Sequence, residues 1–169
     1  MSREFNIGID LGLHGGIVVL AEEPYTKAIA PLAMPTIGDK MDYHSLYKIL
    51  ENYKGTKCHV VFEKLGVIFG SSKATAFSMG YQSGALEAFC IALKLPYTMV
   101  QPKIWQKEMF QGVAEITKPG KTTRDTKAMA LVAANRLFPY YQLVFGRASK
   151  PNDGIVDALL LASYCQRKL

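Results

Sequence analysis

The sequence predicts an α/β fold in which helices cover both faces of a mixed β-sheet. Three observations predict it: short apolar runs bounded by glycine or proline near the N-terminus, helical periodicity from residue 43 onwards, and further apolar runs between the helical segments. Strands that are followed by helical crossovers imply a sheet with helices on its faces. At 169 residues the chain suits one domain, residues 1–169, with a full hydrophobic core.

The N-terminal segment predicts an antiparallel meander of three strands. Apolar runs at residues 5–11 and 16–21 indicate two strands joined by the glycine-rich turn L-G-L-H-G-G. Residues 27–32 indicate a third strand. Pro31 lies within it, which favours a position at the edge of the sheet or an early end of the strand.

The rest of the chain alternates helices with strands. Helical spacing of apolar residues begins after Asp42, a suitable N-cap, and the segment closes at Gly55. The last helix begins after a second suitable cap, Asn152, and runs to about residue 166. Between these helices the sequence predicts a buried strand at 57–64, a long helix at 74–93, a short strand at 95–100, a short helix at 104–110 and a helix at 126–138.

Composition narrows the classes of function. The chain has 20 Lys and Arg against 14 Asp and Glu, a net charge of +6, which favours an anionic partner such as nucleic acid without requiring one. No apolar stretch reaches the roughly 20 residues that span a bilayer, and the N-terminus lacks the pattern of a signal peptide. Its three cysteines are far apart, without the spacing of zinc ligands. We therefore expect a soluble, intracellular protein with no membrane partner.

Four acidic residues border apolar segments. Asp10 ends the first strand, Glu63 ends the run V-V-F, and Asp153 and Asp157 are four residues apart and so share a helix face. Clustered carboxylates repel one another and demand cations, and hard oxygen ligands favour Mg²⁺ or Mn²⁺. Two such ions about 3.5–4 Å apart stabilise both the attacking and the leaving oxygen in phosphodiester hydrolysis. If the first strand and the strand at 57–64 are parallel neighbours, these acids predict such a site.

Three segments carry a family resemblance. G-I-D-L-G, V-F-E-K-L and N-D-G-I-V-D-A-L-L-L-A, in this order, resemble the RuvC-type Holliday junction resolvases, above all the compact phage and bacterial members. The resemblance implies an RNase H-like fold with a five-stranded mixed sheet. It also implies a homodimer that nicks opposing strands of four-way or other branched DNA with two Mg²⁺ per active site, or Mn²⁺ as a substitute, and no nucleotide cofactor. Its expected location is the cytoplasm of a bacterium or a phage-infected cell.

The same resemblance assigns the acids. Asp10, Glu63, Asp153 and Asp157 match the catalytic, metal-binding positions of the family. This sequence departs from the pattern twice: Leu11 stands where many members have proline, and the last two acids are spaced i, i+4 where several bacterial members have i, i+3. Both spacings keep the two carboxylates on one face of a helix.

Other interpretations of these residues stay open. D-L-G after a strand also opens the fold of sugar kinases, actin and chaperone ATPases, but those need two such domains and a second D-x-G motif, which this sequence lacks. A non-cleaving module that binds branched DNA, or a nuclease for RNA–DNA hybrids, would have the same fold. Individually, Glu63 could face solvent and Asp153 could stabilise a helix N-terminus.

A second set of residues predicts contact with DNA. Four basic residues fall within ten positions around Pro119–Gly120, and two lysines flank Trp105, which we expect in the core; a solvated basic loop is the alternative. The resemblance implies that Lys118 or Lys121 approaches the scissile phosphate and that Phe69 stacks on bases, unless its ring folds back onto the protein. The predicted DNA-binding residues are Phe69, Ser71, Ser72, Lys73, Lys103, Lys107, Lys118, Lys121, Arg124 and Lys127.

The long helix at 74–93 is unusually rich in small side chains. Gly80, Ser83, Gly84 and Ala88 either allow close packing on the sheet or, as the resemblance implies, form a two-fold helix–helix contact in a homodimer.

Overall fold

The computed structural model describes residues 4–21, 28–64, 72–141, 143–144 and 150–169. Its strands are β1 (Phe5–Asp10), β2 (Gly16–Ala21), β3 (Ala28–Ala33), β4 (Thr36–Ile37), β5 (Lys40–Met41), β6 (Cys58–Glu63) and β7 (Tyr97–Val100). Its helices are α1 (Tyr43–Glu51), α2 (Lys73–Leu93), α3 (Pro102–Met109), α4 (Thr126–Leu137) and α5 (Asp153–Lys168). Within those residues, none of the helices is long and apolar enough to cross a membrane.

Five of the described strands form one mixed sheet in the order β3-β2-β1-β6-β7. β1 pairs antiparallel with β2, and β2 pairs antiparallel with β3, which confirms the predicted meander. β6 joins β1 in parallel, and β7 joins β6 in parallel. β3 lies at the edge of the sheet, as Pro31 predicts, because a residue without a backbone N–H cannot complete a central ladder. The hairpin β4–β5 was not predicted, since two-residue strands are too short to show a period.

The sheet has a hydrophobic layer on each face. Alternation along β2 directs Ile17 and Val19 to one layer and Val18 and Leu20 to the other. The first layer is completed by apolar residues of α1 and α2, and the second by apolar residues of α3, α4 and α5. The predicted α/β architecture, with helices on both faces of a mixed sheet, is therefore confirmed.

Side-chain caps fix where the helices begin. Asp42 accepts a hydrogen bond from the backbone N–H of Ser45 at the start of α1, and Asn152 accepts one from Ile155 at the start of α5, as predicted. The cap of α5 matters most for the site below, because it sets which residues occupy the first turn of that helix.

Candidate active site

The parallel pairing of β1 and β6 brings two of the predicted acids to the same edge of the sheet. Ile9 of β1 pairs with Phe62 of β6, and the next residue of each strand is an acid, Asp10 and Glu63. The condition under which the sequence predicts a shared site, that these strands are parallel neighbours, is thus met. Both carboxylates leave the C-terminal ends of adjacent strands.

Helix α5 supplies the other two acids by packing very closely on β1 and β2. A Cβ atom added at Gly8 would overlap the carbonyl oxygen of Ala158, and one added at Gly154 would overlap the carbonyl oxygen of His14. At Gly16 it would lie 2.9 Å from the Cα of Ile155. Because these three glycines lack a Cβ, the first turns of α5 reach the end of β1, and Asp153 and Asp157 lie on those turns.

The acids of β1 and α5 line one pocket, which we call the acidic pocket. It has a volume of about 520 Å³. Its lining residues are Asp10, Leu11, Gly12, Leu13, His14, Gly15, Lys127, Pro151, Asn152, Asp153, Gly154 and Asp157. Glu63 is not among them, but its charge acts on both Asp10 and Asp157. Asp10 and Asp157 therefore each lie within electrostatic reach of both Glu63 and Asp153.

The acidic pocket carries more negative charge than its surroundings neutralise. Burial, followed by the charges of Asp157 and Glu63, raises the pKa of Asp10 to about 8. Burial, followed by the charges of Glu63 and Asp153, raises the pKa of Asp157 to about 7. The positive charge of Lys127 lowers both values, but its effect is smaller than that of burial, and on Asp10 it is also smaller than those of Asp157 and Glu63. The metal-free site therefore binds protons that a cation would replace.

Lys127 lies at the acidic pocket instead of with the basic loop. Its Nζ donates a hydrogen bond of 2.7 Å to Oδ2 of Asp153, in an ion pair whose two side chains are more than half exposed. The sequence offered Lys118 or Lys121 as the lysine at the reacting phosphate, but neither lines this pocket. The reason is geometric: α4 begins at Thr126, so Lys127 occupies its first turn and faces the first turn of α5.

Glu63 is held by a residue from the core. The indole Nε1–H of Trp105 donates a hydrogen bond of 2.8 Å to Oε1 of Glu63. Burial raises the pKa of Glu63, and this hydrogen bond partly lowers it. Trp105 is buried, as predicted, but its polar contact was not predicted.

The four carboxylates are the kind of ligand that a hard divalent cation prefers, although their side chains do not converge on one point. Within the described ranges, no three His, Cys, Asp or Glu side chains form a group that could hold a metal ion as they stand. Asp153 is engaged by Lys127 and Glu63 by Trp105. Carboxylate oxygens are nevertheless the ligands that Mg²⁺ and Mn²⁺ prefer, and burial together with the neighbouring acids raises the pKa values of Asp10 and Asp157.

A basic groove lies beside this site, between α3 and α4. It has a volume of about 460 Å³. Its lining residues are Lys103, Gln106, Lys107, Phe110, Val113, Arg124, Thr126 and Met129. Arg124 also forms an exposed 2.9 Å ion pair with Glu115. The groove and the acidic pocket are adjacent, because consecutive residues Thr126 and Lys127 line one each.

The other predicted DNA-binding residues are distributed around the site. Lys118 and Lys121 are exposed on a tight turn, in which the N–H of Lys118 bonds to the carbonyl of Thr123 at 2.9 Å. Ser72 caps α2 by accepting a hydrogen bond from the N–H of Thr75, and Lys73 follows it on the surface. The remaining two, Phe69 and Ser71, lie outside the described residues.

The small residues of α2 do not pack on the sheet. Nothing in the described chain lies within 4 Å of a Cβ added at Gly80 or Gly84, and Ala88 is also exposed. On the same helix, Phe77 is 76% exposed and Tyr81 is 60% exposed. The first of the two interpretations, close packing within the chain, is therefore wrong for these glycines, and the helix presents an apolar face to its surroundings.

Solved structures share this arrangement of strands, helices and connections. The structure of RuvC from Thermus thermophilus matches with a TM-score of 0.60 and 17% sequence identity, over 94% of this chain and 93% of that chain. The fold is that of RuvC. T. thermophilus RuvC in complex with Holliday junction substrate also matches, with a TM-score of 0.60 and 16% identity, over 92% of this chain and 89% of that chain. No protein-family model and no curated protein matches the sequence.

The match confirms the predicted RNase H-like, RuvC-type fold, and it shows what sequence reasoning missed within it. On this RuvC fold, the close contact of α5 with the sheet depends on Gly8, Gly16 and Gly154, for which a signal was available: glycines inside apolar runs often mark a close approach of backbones. Lys127 was predicted to contact DNA but not to lie beside the acids; the signal for that place was its position two residues after the capping Asp125. For the bond between Trp105 and Glu63 the sequence contains no signal.

Proposed function

We propose that this protein is a structure-selective endonuclease that resolves Holliday junctions and other branched DNA by metal-dependent hydrolysis. The observation that carries the proposal is the acidic pocket, whose Asp10 and Asp157 have strongly raised pKa values and lie within electrostatic reach of Glu63 at the end of β6. The RuvC fold supports it further, and one of the matching RuvC structures is bound to Holliday junction substrate.

Asp10, Glu63, Asp153 and Asp157 are the catalytic residues and would hold two Mg²⁺, with Mn²⁺ as a substitute. The ions would activate a water for in-line attack on the phosphodiester and stabilise the leaving 3′-oxygen. The protein's own part is to bring these carboxylates close together, with Asp10, Glu63 and Asp157 partly buried and Asp153 exposed. Lys127 balances part of the charge on α5 and would contact a phosphate that enters the pocket.

Binding of the DNA arms relies on basic residues outside the pocket. The lysines of the basic groove and of the turn at 118–123 neutralise backbone phosphates, so affinity is salt-dependent. Base stacking by an aromatic residue holds the crossover open. The residues that we propose contact DNA are Phe69, Ser71, Ser72, Lys73, Lys103, Lys107, Lys118, Lys121, Arg124 and Lys127, of which Lys127 lines the acidic pocket itself.

A homodimer would place two active sites on opposing strands of one junction. The proposed contact is the exposed face of α2 that contains Gly80, Ser83, Gly84 and Ala88. Two observations support it: small side chains with open space above them, and large exposed aromatic rings on the same helix. Two such helices related by a two-fold axis would cover each other's apolar surface.

The test is cleavage of a synthetic four-way junction with and without Mg²⁺. We expect wild type to release paired nicked products only with metal, and Asp10→Asn to bind the junction without cutting it. Asp39→Asn is a matched control, because this carboxylate is exposed on the β4–β5 turn. Linear duplex and RNA–DNA hybrid are the comparison substrates.

Two results would contradict the proposal. Tight junction binding by wild type with no metal-dependent product indicates a non-cleaving binding module. Preferential cleavage of the RNA–DNA hybrid indicates the same chemistry on another substrate.

A further inference from the structure

Trp105 links the hydrophobic core to the candidate active site. It is the single tryptophan of the chain and is only 1% exposed on α3. The ring of Phe110 contacts it edge-on, with centroids 6.0 Å apart. Because close-packed interiors leave little room for a large ring to turn, the direction of the Nε1–H bond to Glu63 is fixed by the core.

The two hydrogen-bonded acids of the site have donors of different kinds. Lys127 brings a positive charge to Asp153 and so cancels part of its charge. Trp105 brings a neutral N–H, since an indole only donates. It therefore orients Glu63 without cancelling the charge that a cation needs. The bond engages Oε1, and an ionised carboxylate has a second oxygen that can accept another partner.

We propose that Trp105 is a positioning residue, whose N–H holds the Glu63 carboxylate in the orientation that lets it bind a divalent cation at the edge of the acidic pocket. This inference rests on the function proposed above. Hydrogen bonds to metal-binding side chains fix their orientation, and their loss weakens metal binding by about 10- to 100-fold in proteins generally.

The test is Mn²⁺ binding to the full chain by isothermal titration calorimetry, without DNA. Trp105→Phe keeps a buried aromatic ring but removes the donor, and we expect its Mn²⁺ dissociation constant to rise about 10-fold or more. Met109→Leu is the matched control: it alters another fully buried core residue of α3 and keeps the indole. An unchanged dissociation constant in Trp105→Phe, or an equal rise in Met109→Leu, would overturn the proposal.

A second variant covers the case in which Trp105→Phe does not fold. Because the chain has one tryptophan, biosynthetic incorporation of benzothienylalanine replaces this residue alone. The analogue has nearly the shape of tryptophan, with sulfur in place of the N–H. Weaker Mn²⁺ binding by the analogue-containing protein supports the proposal, and wild-type affinity overturns it.

Fluorescence of Trp105 separates this inference from the proposed function. In wild type, Mg²⁺ should change the emission along the isotherm that calorimetry gives for Mg²⁺, and Glu63→Gln should abolish the change. If wild type neither binds Mn²⁺ nor cuts a junction, both proposals fail. If wild type binds Mn²⁺ and cuts a junction, and the protein without the indole N–H binds Mn²⁺ equally tightly, only the role of Trp105 fails.

Discussion

Helices α2 and α5 contain the same spacing of small residues and use it in opposite ways. Each has a glycine or alanine at every fourth position over two turns: Gly80, Gly84 and Ala88 in α2, and Gly154, Ala158 and Ala162 in α5. In α5 the series faces β1 and β2 so closely that Cβ atoms on the facing glycines would overlap helix backbone. In α2 the two glycines face open space within the described structure.

The comparison teaches that a series of small residues predicts close packing, but not whether the packing partner belongs to the same chain or to another one. In α5 the neighbour is the same chain, and the consequence is that Asp153 and Asp157 reach Asp10. In α2 we propose that the neighbour is a second copy. One series thus builds the acidic pocket, and the other would set the distance between two such pockets.

Glycine-to-alanine substitution in both helices tests this comparison with the largest expected effect. In Gly154→Ala the new methyl group would overlap the backbone of His14 and Gly15, and we expect a loss of unfolding free energy of about 3 kcal/mol or more. In Gly84→Ala the methyl group meets open space, and better helix propensity should stabilise the monomer by up to about 1 kcal/mol. Urea denaturation at low protein concentration measures both. Equal effects would show that the two series have equivalent surroundings.

The packed end of α5 also makes stability depend on pH. The pKa of Asp10 rises from 3.8 to about 8 on folding, so the native state binds more protons than the unfolded state between these values. Stability of the metal-free protein should therefore fall as pH rises from about 4 to about 8. At pH 8, we expect the unfolding free energy of Asp10→Asn to exceed that of wild type by on the order of 2 kcal/mol.

Thermal unfolding from pH 5 to 8.5, with and without Mg²⁺, measures this difference. Mg²⁺ should narrow the gap at pH 8, because the cation replaces the missing protons in wild type only. Asp39→Asn, on its exposed turn, should follow wild type at every pH. A wild-type stability that rises over this range would contradict the account of the acidic pocket.

A charge added to the open face of α2 should weaken the proposed dimer without destabilising the monomer. Ala88→Glu puts two like charges close together in the proposed dimer, and we expect the dimer dissociation constant to rise at least about tenfold, or 1.4 kcal/mol. The monomer should keep its stability, since Ala88 is exposed. Sedimentation velocity measures the association, with Asn135→Glu on the exposed side of α4 as the control. Wild type that stays monomeric at all concentrations would leave this face without its proposed partner.

The smallest expected effect concerns the turn that follows α3. Lys118→Ala removes one exposed charge, so the slope of log binding constant against log salt should become shallower by about 0.9, while the rate of cutting bound junction stays the same. Fluorescence anisotropy across KCl concentrations measures the slope. Lys54→Ala is the control. Lys54 is exposed on the turn after α1 and lies near the start of β6, at the opposite end of that strand from Glu63. An identical slope in Lys118→Ala and wild type would remove this lysine from the DNA-binding surface.

Much of the fold could be predicted because its causes are local. Continuous apolar runs define β2 and β6, Asp42 and Asn152 cap the helices they precede, and Pro31 marks the edge strand. The meeting of β1 and β6 could be stated only as a condition, because no local signal shows that two strands are parallel neighbours; the structure meets that condition.

The details of the site depend on contacts that no local pattern encodes. The partner of Glu63 is 42 residues away in the sequence. Lys127, and not Lys118, lines the acidic pocket because of where α4 starts and which side of it faces α5. The same holds for Gly84 and Gly154, whose opposite surroundings arise from where each helix sits on the sheet.

The most direct test of the central claim is anomalous diffraction from crystals of the protein soaked in Mn²⁺. The account predicts Mn²⁺ bound by carboxylate oxygens of Asp10 and Asp157, at the end of β1 where α5 meets the sheet, and no such peak in Asp10→Asn crystals. Saturating Mn²⁺ that leaves the acidic pocket empty, or a peak there that persists in Asp10→Asn with undiminished height, would contradict it.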